Sequence, residues 1–267
     1  MIIRRVDGEL VIARQTDHMA QVARMAERWG NTRFPAPEHR EETIRAAGLH
    51  DCGWRLWEDA PTLFPETGRP RNFTEIERPI HAAFYRAGVE SAVGVDPYTG
   101  LLASLHASVL CAGVEGWDLE LLTPPENPDR TAIEREFIEQ QTSLQGRLRS
   151  MLALEARYAA SMAPDRLWPA YLRLRAWDRL SLYFLSRGLG EGEIDHIPEN
   201  DGETTLVLRQ TGQRSAIATP WPFGLPEVTF PVVVARVPDR RYEDGMEFLS
   251  TLVHAQHEVW DYSLAQG

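Results

Sequence analysis

Cysteine is scarce: Cys52 and Cys111 are the only two in 267 residues, and no Cys-x-x-Cys pair occurs. That argues against a disulfide framework and against a thiolate metal cluster. No apolar run approaches the ~20 residues that a membrane-spanning helix needs. Residues 1–6 also lack the long apolar segment of a secretory signal, so the cytoplasm is the expected location. Positive charge is in deficit. A formal net charge of −11 leaves no basic face for a nucleic acid. Gly-rich phosphate loops, Ser-centred nucleophile elbows, metalloprotease helices, tandem repeats and low-complexity segments are missing too. What remains is an ordinary globular composition, 43% hydrophobic and 25% charged.

Apolar periodicity predicts a mainly helical chain. Residues 1–14 read as a β-hairpin around Asp7-Gly8, a strong type I′ turn signal. Helices are expected over about 16–29, 38–50, from Pro79 onward, 101–112, 129–161 and 164–187. Residues 53–79 form a long irregular stretch, dense in Pro and Gly, in which Trp54, Trp57, Phe64 and Phe73 alternate with arginines. Such a loop is either a binding segment or a surface excursion pinned by its aromatics. Beyond a polar linker at 191–202, strands are expected at 204–210, 214–219 and 227–237. Pro231 suggests an edge or bulged position in the last. The stiff aromatic loop 220–224 could border a pocket, and a final helix is read over 242–262, with Met246, Leu249, Val253 and Val259 as its apolar positions. The expected architecture is one domain spanning 1–267. A helical bundle fills 12–188, and a small antiparallel sheet is built from the hairpin 1–14 and the C-terminal strands within 203–267.

Chemistry concentrates at Gly48-Leu49-His50-Asp51-Cys52-Gly53-Trp54, where a helix ends in a His-Asp pair. Imidazole and carboxylate both bind Mn, Fe or Zn, and adjacent placement offers both to one ion. His18 begins the apolar stripe Val22, Met25, Ala26, Trp29, as a packed or capping residue or as a ligand. His81 falls near a helix N-terminus, and His106 at the edge of an apolar face. Asp178 interrupts the buried stripe Leu167, Tyr171, Leu174, Leu182, Leu185. A carboxylate there needs an arginine, a hydrogen-bond network or a metal. His254 and His257, three apart on the expected last helix, could share an ion or lie on a solvated face.

Taken in order, His18, His50-Asp51, His81, His106 and Asp178 make the chain resemble the HD-domain superfamily of helical metal-dependent phosphohydrolases. The resemblance covers about residues 12–188, and more locally the chain looks like a bacterial family with an HD-like core and no assigned substrate. It implies one or two divalent ions (Fe, Mn or Zn). His18, His50, Asp51 and Asp178 would hold the first ion, and His81 with His106 the second. Asp51 would be the bridging carboxylate, and a bridging water the nucleophile. Gln21, one turn after His18, would be a supporting or substrate-contacting group in catalysis.

One departure matters. Many HD phosphohydrolases carry a phosphate-binding lysine just after the His-Asp-x-Gly segment, where this chain has Trp54. Substrate charge would then fall to Arg69, Arg71, Arg78 or Arg179. The resemblance therefore implies a hydrolase of a small phosphorylated or nucleotide-like molecule. The alternatives are a di-iron, O₂-dependent oxygenase or a non-catalytic metal-binding protein.

Overall fold

A computed structural model describes residues 1–114, 117–186 and 189–267. Along the chain run β1 (Ile2–Val6), β2 (Glu9–Ala13), α1 (Gln15–Arg28), α2 (Arg40–Leu49), a short α3 (Arg55–Glu58), α4 (Arg78–Val95) and α5 (Pro97–Ala112). Next come α6 (Ala132–Leu152), α7 (Pro164–Leu185), β3 (Glu191–Glu199), β4 (Gly202–Gly212), β5 (Ser215–Thr219), β6 (Glu227–Pro238), α8 (Gly245–Val253) and β7 (Gln256–Gln266). The expected end of the seventh helix at 187–188 lies outside the described residues. No helix is long and apolar enough to cross a membrane among the described residues.

The expectation of a mainly helical bundle with a small antiparallel sheet is overturned. The chain is 47% helical and 24% strand, and seven strands form one curled mixed sheet, a half-barrel. The strand order is β1-β2-β6-β7-β5-β4-β3. All pairings are antiparallel except β5 with β7, which run parallel. Two misread segments account for the difference. Residues 191–202, read as a polar linker, form β3, which buries Ile194 and Ile197 on either side of a bulge. Residues 242–262, read as one helix, split into α8 and β7. In β7 the buried residues are Trp260, Tyr262 and Leu264, a period of two. Val259, counted on a helical stripe, is 63% exposed. His254 and His257 thus fall on either side of a helix–strand junction, both exposed, with His254 Nδ1 on the Ser250 carbonyl (2.8 Å).

The hairpin forms as its turn demands, with Asp7 and Gly8 both left-handed (φ 52° and 82°). Pro231 sits within β6, paired to Asp261 of β7. It is tolerated because β2 pairs only with the other half of β6, residues 235–238, so the missing N–H costs no ladder bond on that side. The sheet is not an appendage. Val22 and Met25 of α1, Leu105 of α5 and Trp177 of α7 share one apolar cluster with Phe230 and Val232 of β6 and Tyr262 of β7. The long loop is pinned by its aromatics: Trp54 and Trp57 pack in a second cluster with Ile3, Ile12, Tyr242 and Phe248. Helices α1 and α7 pack directly on the sheet, and α2, α4 and α5 pack on them and on one another, which is what brings their polar residues together.

One acidic group in the first turn of α1 reports on this packing. Burial and the nearby Glu58 lift the Asp17 carboxyl to about 6, against the pull of Arg14. The folded state then binds more protons than the unfolded chain between the ordinary carboxyl range and about 6, so stability falls as pH rises through that window. Asp17→Asn should raise the unfolding free energy by about 1 kcal/mol at pH 7.5, after allowance for partial exposure and the lost helix-terminus attraction. The gain should shrink towards pH 4. Thermal melts at both pH values check it, and a gain that does not depend on pH would refute it.

Candidate metal centre

Four helices meet at one point beneath the sheet. Helix α1 contributes His18 and α7 contributes Asp178, whose Oδ1 lies 3.0 Å from His18 Nε2. The C-terminus of α2 delivers His50 and Asp51, with His50 Nε2 3.6 Å from Asp178 Oδ1 and 3.8 Å from Asp51 Oδ2. Helix α5 brings His106, its Nε2 3.9 Å from Asp51 Oδ1. The ligand atoms of His18, His50 and Asp51 all lie within 4.8 Å of one another. All five residues are buried.

Hydrogen bonds determine which imidazole nitrogens carry lone pairs. Gln21 Nε2 donates to the Phe230 carbonyl on the open half of β6 (3.0 Å), which fixes the orientation of its amide. Its Oε1 therefore accepts, and takes the single hydroxyl proton of Ser181 (2.7 Å). Ser181 Oγ can then only accept from His18 Nδ1, 2.7 Å away. Nδ1 of His18 is thus the protonated nitrogen, and Nε2 in the neutral ring presents a lone pair to Asp178. His50 is set the same way: Nδ1 donates to the Ala47 carbonyl (2.8 Å), leaving Nε2 aimed at two carboxylates. Acceptor facing acceptor at these distances is repulsive, so a cation must sit among them, whether protons on the rings or a metal ion.

Electrostatics agree in direction. Burial pushes His50 down, but Asp51, Asp178 and the Ala47 carbonyl outweigh it and lift the ring to about 9. Burial pushes Asp178 up, yet hydrogen bonds from His18 and His50 hold it well below the usual carboxylate range. Burial, then the neighbouring His50, drives His106 down to about 4, so it stays neutral. Both His106 nitrogens, His50 Nε2, His81 Nε2 and Asp51 Oδ1 are buried without a hydrogen-bond partner among the described residues. Orphaned donors and acceptors are costly to bury, and here all are of metal-ligand type.

His81, on α4, stands apart from the tight group. Its ring packs edge-on to Trp54 (centroids 4.8 Å), and burial lowers its pKa against the attraction of Asp51. Trp54 is itself 1% exposed, a wall behind His81 and no lining of an open site. Gln21, expected as a catalytic group, has both ends of its amide engaged, by the Phe230 carbonyl and the Ser181 hydroxyl. The chain holds no lysine, so all 28 of its basic residues are arginines. Arg69, Arg71 and Arg78 are not among the residues lining the cavity beside the cluster, and each is held by a carboxylate. Arg69 pairs with Asp239 (3.7 Å), Arg71 with Glu77 (2.7 Å) and Arg78 with Glu134 (2.8 Å). Arg179, with Arg175, does line that cavity, which has a volume of about 560 Å³ and reaches His106 and Asp178. Sequence reasoning missed Ser181, Arg175, Trp168 and Trp117. The first three share a buried or cavity-facing side of α7 with Asp178, at helical spacings that the Asp178 stripe already contained.

The relay makes Ser181 testable. Ser181→Ala removes the acceptor that His18 Nδ1 has among the described residues and frees the ring to rotate. Divalent-metal affinity should fall about 10–100-fold, the usual cost of losing such a support. A competition titration with a metallochromic chelator measures it, and an unchanged affinity would show the relay to be incidental.

The fold and the site define a chain in which four helices set a buried His/Asp cluster against a half-barrel sheet. The chain belongs to the family described as a protein of unknown function (DUF3891), whose profile matches residues 1–239. No curated protein and no solved structure matches it.

Proposed function

We propose that the cluster is a divalent-metal centre and that the chain is a metal-dependent hydrolase of a small phosphorylated molecule, as the HD-domain resemblance implies. The observation that carries the reading is the convergence of His18 Nε2 and His50 Nε2 on the carboxylates of Asp178 and Asp51, at 3.0 to 3.8 Å. Protons on those two rings would balance the carboxylates, but they would leave both nitrogens of His106 and Asp51 Oδ1 unpartnered. One or two divalent ions answer all of these groups at once. His18, His50, Asp51 and Asp178 would hold the first, and His106, with His81, would offer ligands for a second. A bound ion there supplies an activated water and Lewis acidity at a phosphoryl oxygen. The protein's own groups do the rest. Gln21 and Ser181 hold His18 in its ligating tautomer, and the Ala47 carbonyl does the same for His50. Arg179 and Arg175 meet substrate charge from the cavity side. The acidic surface favours a small ligand over a nucleic acid, and free Cys52 and Cys111 suit a reducing cytoplasm.

Elemental analysis of the purified protein and Mn²⁺-dependent phosphate release from a phosphoester panel test this together. Bound transition metal and turnover that Asp51→Ala abolishes are expected. Metal-free protein that takes up no Mn²⁺ would end the reading. Iron near two per chain, with O₂ uptake and no phosphate release, would replace the hydrolase with the oxygenase.

A further inference from the structure

The cavity beside the cluster is polarised along its length. Helix α5 lines it with His106, Val109, Leu110 and Gly113, and α7 with Trp168, Tyr171, Leu172, Arg175, Asp178 and Arg179. These are consecutive turns of one face on each helix. At one end His106 and Asp178 belong to the His/Asp cluster. At the other, the rings of Trp117 and Trp168 meet at 5.6 Å. Ten residues of α7 separate Asp178 from Trp168, about 15 Å at ~1.5 Å per residue. Charge is confined to the cluster end and its rim. Arg175 and Arg179 share a single carboxylate, Asp195, at 2.8 and 2.6 Å, two guanidinium groups on one anion, with Glu203 as a second carboxylate on the same rim. His196 and Glu203 pair with each other at 2.6 Å. The distal half is apolar, and Leu110 and Leu119 are 44% and 46% exposed.

We infer that this cavity takes an elongated organic anion, its anionic head at Arg175 and Arg179 beside the cluster and an apolar, ring-bearing tail against Trp117 and Trp168. The volume suits a ligand of that size. A bare inorganic or very short phosphate would leave the Trp and Leu wall wet. A neutral apolar molecule would leave the arginine charge unanswered. The aromatic wall offers a flat tail both buried area and ring-face contact. The inference relies on the metal reading only for which end of the ligand would react. The binding polarity stands on Arg175, Arg179, Trp117 and Trp168 alone.

Isothermal titration of the full chain, metal-loaded and after chelator treatment, with 4-phenylbutylphosphonate, ethylphosphonate and 4-phenylbutanol tests it. The phenylbutyl phosphonate should bind at least about tenfold tighter than either half-ligand, since several methylenes and a ring leave water. That preference should persist without metal, so a failure of the metal reading leaves it measurable. Leu110→Gln, at an exposed position, makes the wall polar without adding charge and should cut phenylbutylphosphonate affinity about tenfold while leaving ethylphosphonate unchanged. Trp168→Ala should act in the same direction. Arg179→Met should weaken both phosphonates and spare the alcohol. Equal affinity of the long and short phosphonates, or indifference of the long one to Leu110→Gln, overturns the inference.

Discussion

If the cluster holds a divalent ion, as proposed, Asp178→Asn should lower its affinity by more than the ~100-fold that loss of a supporting hydrogen bond can cause. Asparagine keeps the shape of the side chain and removes its charge, so the effect isolates electrostatics. His18 Nε2 at 3.0 Å and His50 Nε2 at 3.6 Å both face the same Asp178 oxygen, so one substitution removes the anion between them. The metal-free fold should lose stability as well, by about 3 kcal/mol, because a buried charge cluster loses its partner. Elemental analysis gives the first quantity and denaturant unfolding the second. Added Mn²⁺ should raise the melting temperature of the wild-type chain and leave the variant where it was, since only a bound ion stabilises the folded state. If Mn²⁺ shifts neither protein, Asp178 is the anion of a plain ion-pair network and the metal reading falls.

Gly53→Ala should be the most damaging small substitution in the chain. The turn at Cys52–Trp54 presses Gly53 against α4 so closely that a Cβ would lie 1.8 Å from the Phe84 carbonyl oxygen and 2.9 Å from Gly88 N. Both obstacles are helix backbone, which cannot rotate aside as a side chain can. The turn must therefore lift off α4, taking Asp51 with it and exposing Trp54. A cost of about 3 kcal/mol or more is expected, at the upper end of overpacking, together with reduced metal binding. Unfolding curves and metal titration measure the two. A variant of wild-type stability that still binds metal would show that the turn is free to move. The glycine is needed here for space. Its backbone angles do not demand it, because Gly53 is not among the residues with positive φ.

The cluster was legible in the sequence because helices report their own faces. His18 one turn before Val22, and Asp178 between Leu174 and Leu182, fell on inward stripes by spacing alone, and those stripes do face the core. The substrate side was not legible. Arg69, Arg71 and Arg78 were attractive because they stand among aromatics, but each is tied to a carboxylate, Arg71 to nearby Glu77 and the other two to Asp239 and Glu134, which sequence proximity does not reveal. Arg175 and Arg179 owe their place in the cavity to Asp195, on a strand that was read as linker. Misreading β7 as helix followed from counting Val253 and Val259 on one stripe, when Trp260, Tyr262 and Leu264 alternate about a strand paired with β6 along ten residues.

By itself the sequence determined which residues could ligate and on which helical faces they lie, because a period of 3.6 residues assigns a face from a few neighbours. Only the tertiary structure decided the rest: the seven-strand sheet, the cavity, and the Gln21–Ser181 contact that spans 160 residues and sets the tautomer of His18. Strand pairing and buried hydrogen bonds are contacts between distant segments, and their energy depends on where the whole chain brings those segments.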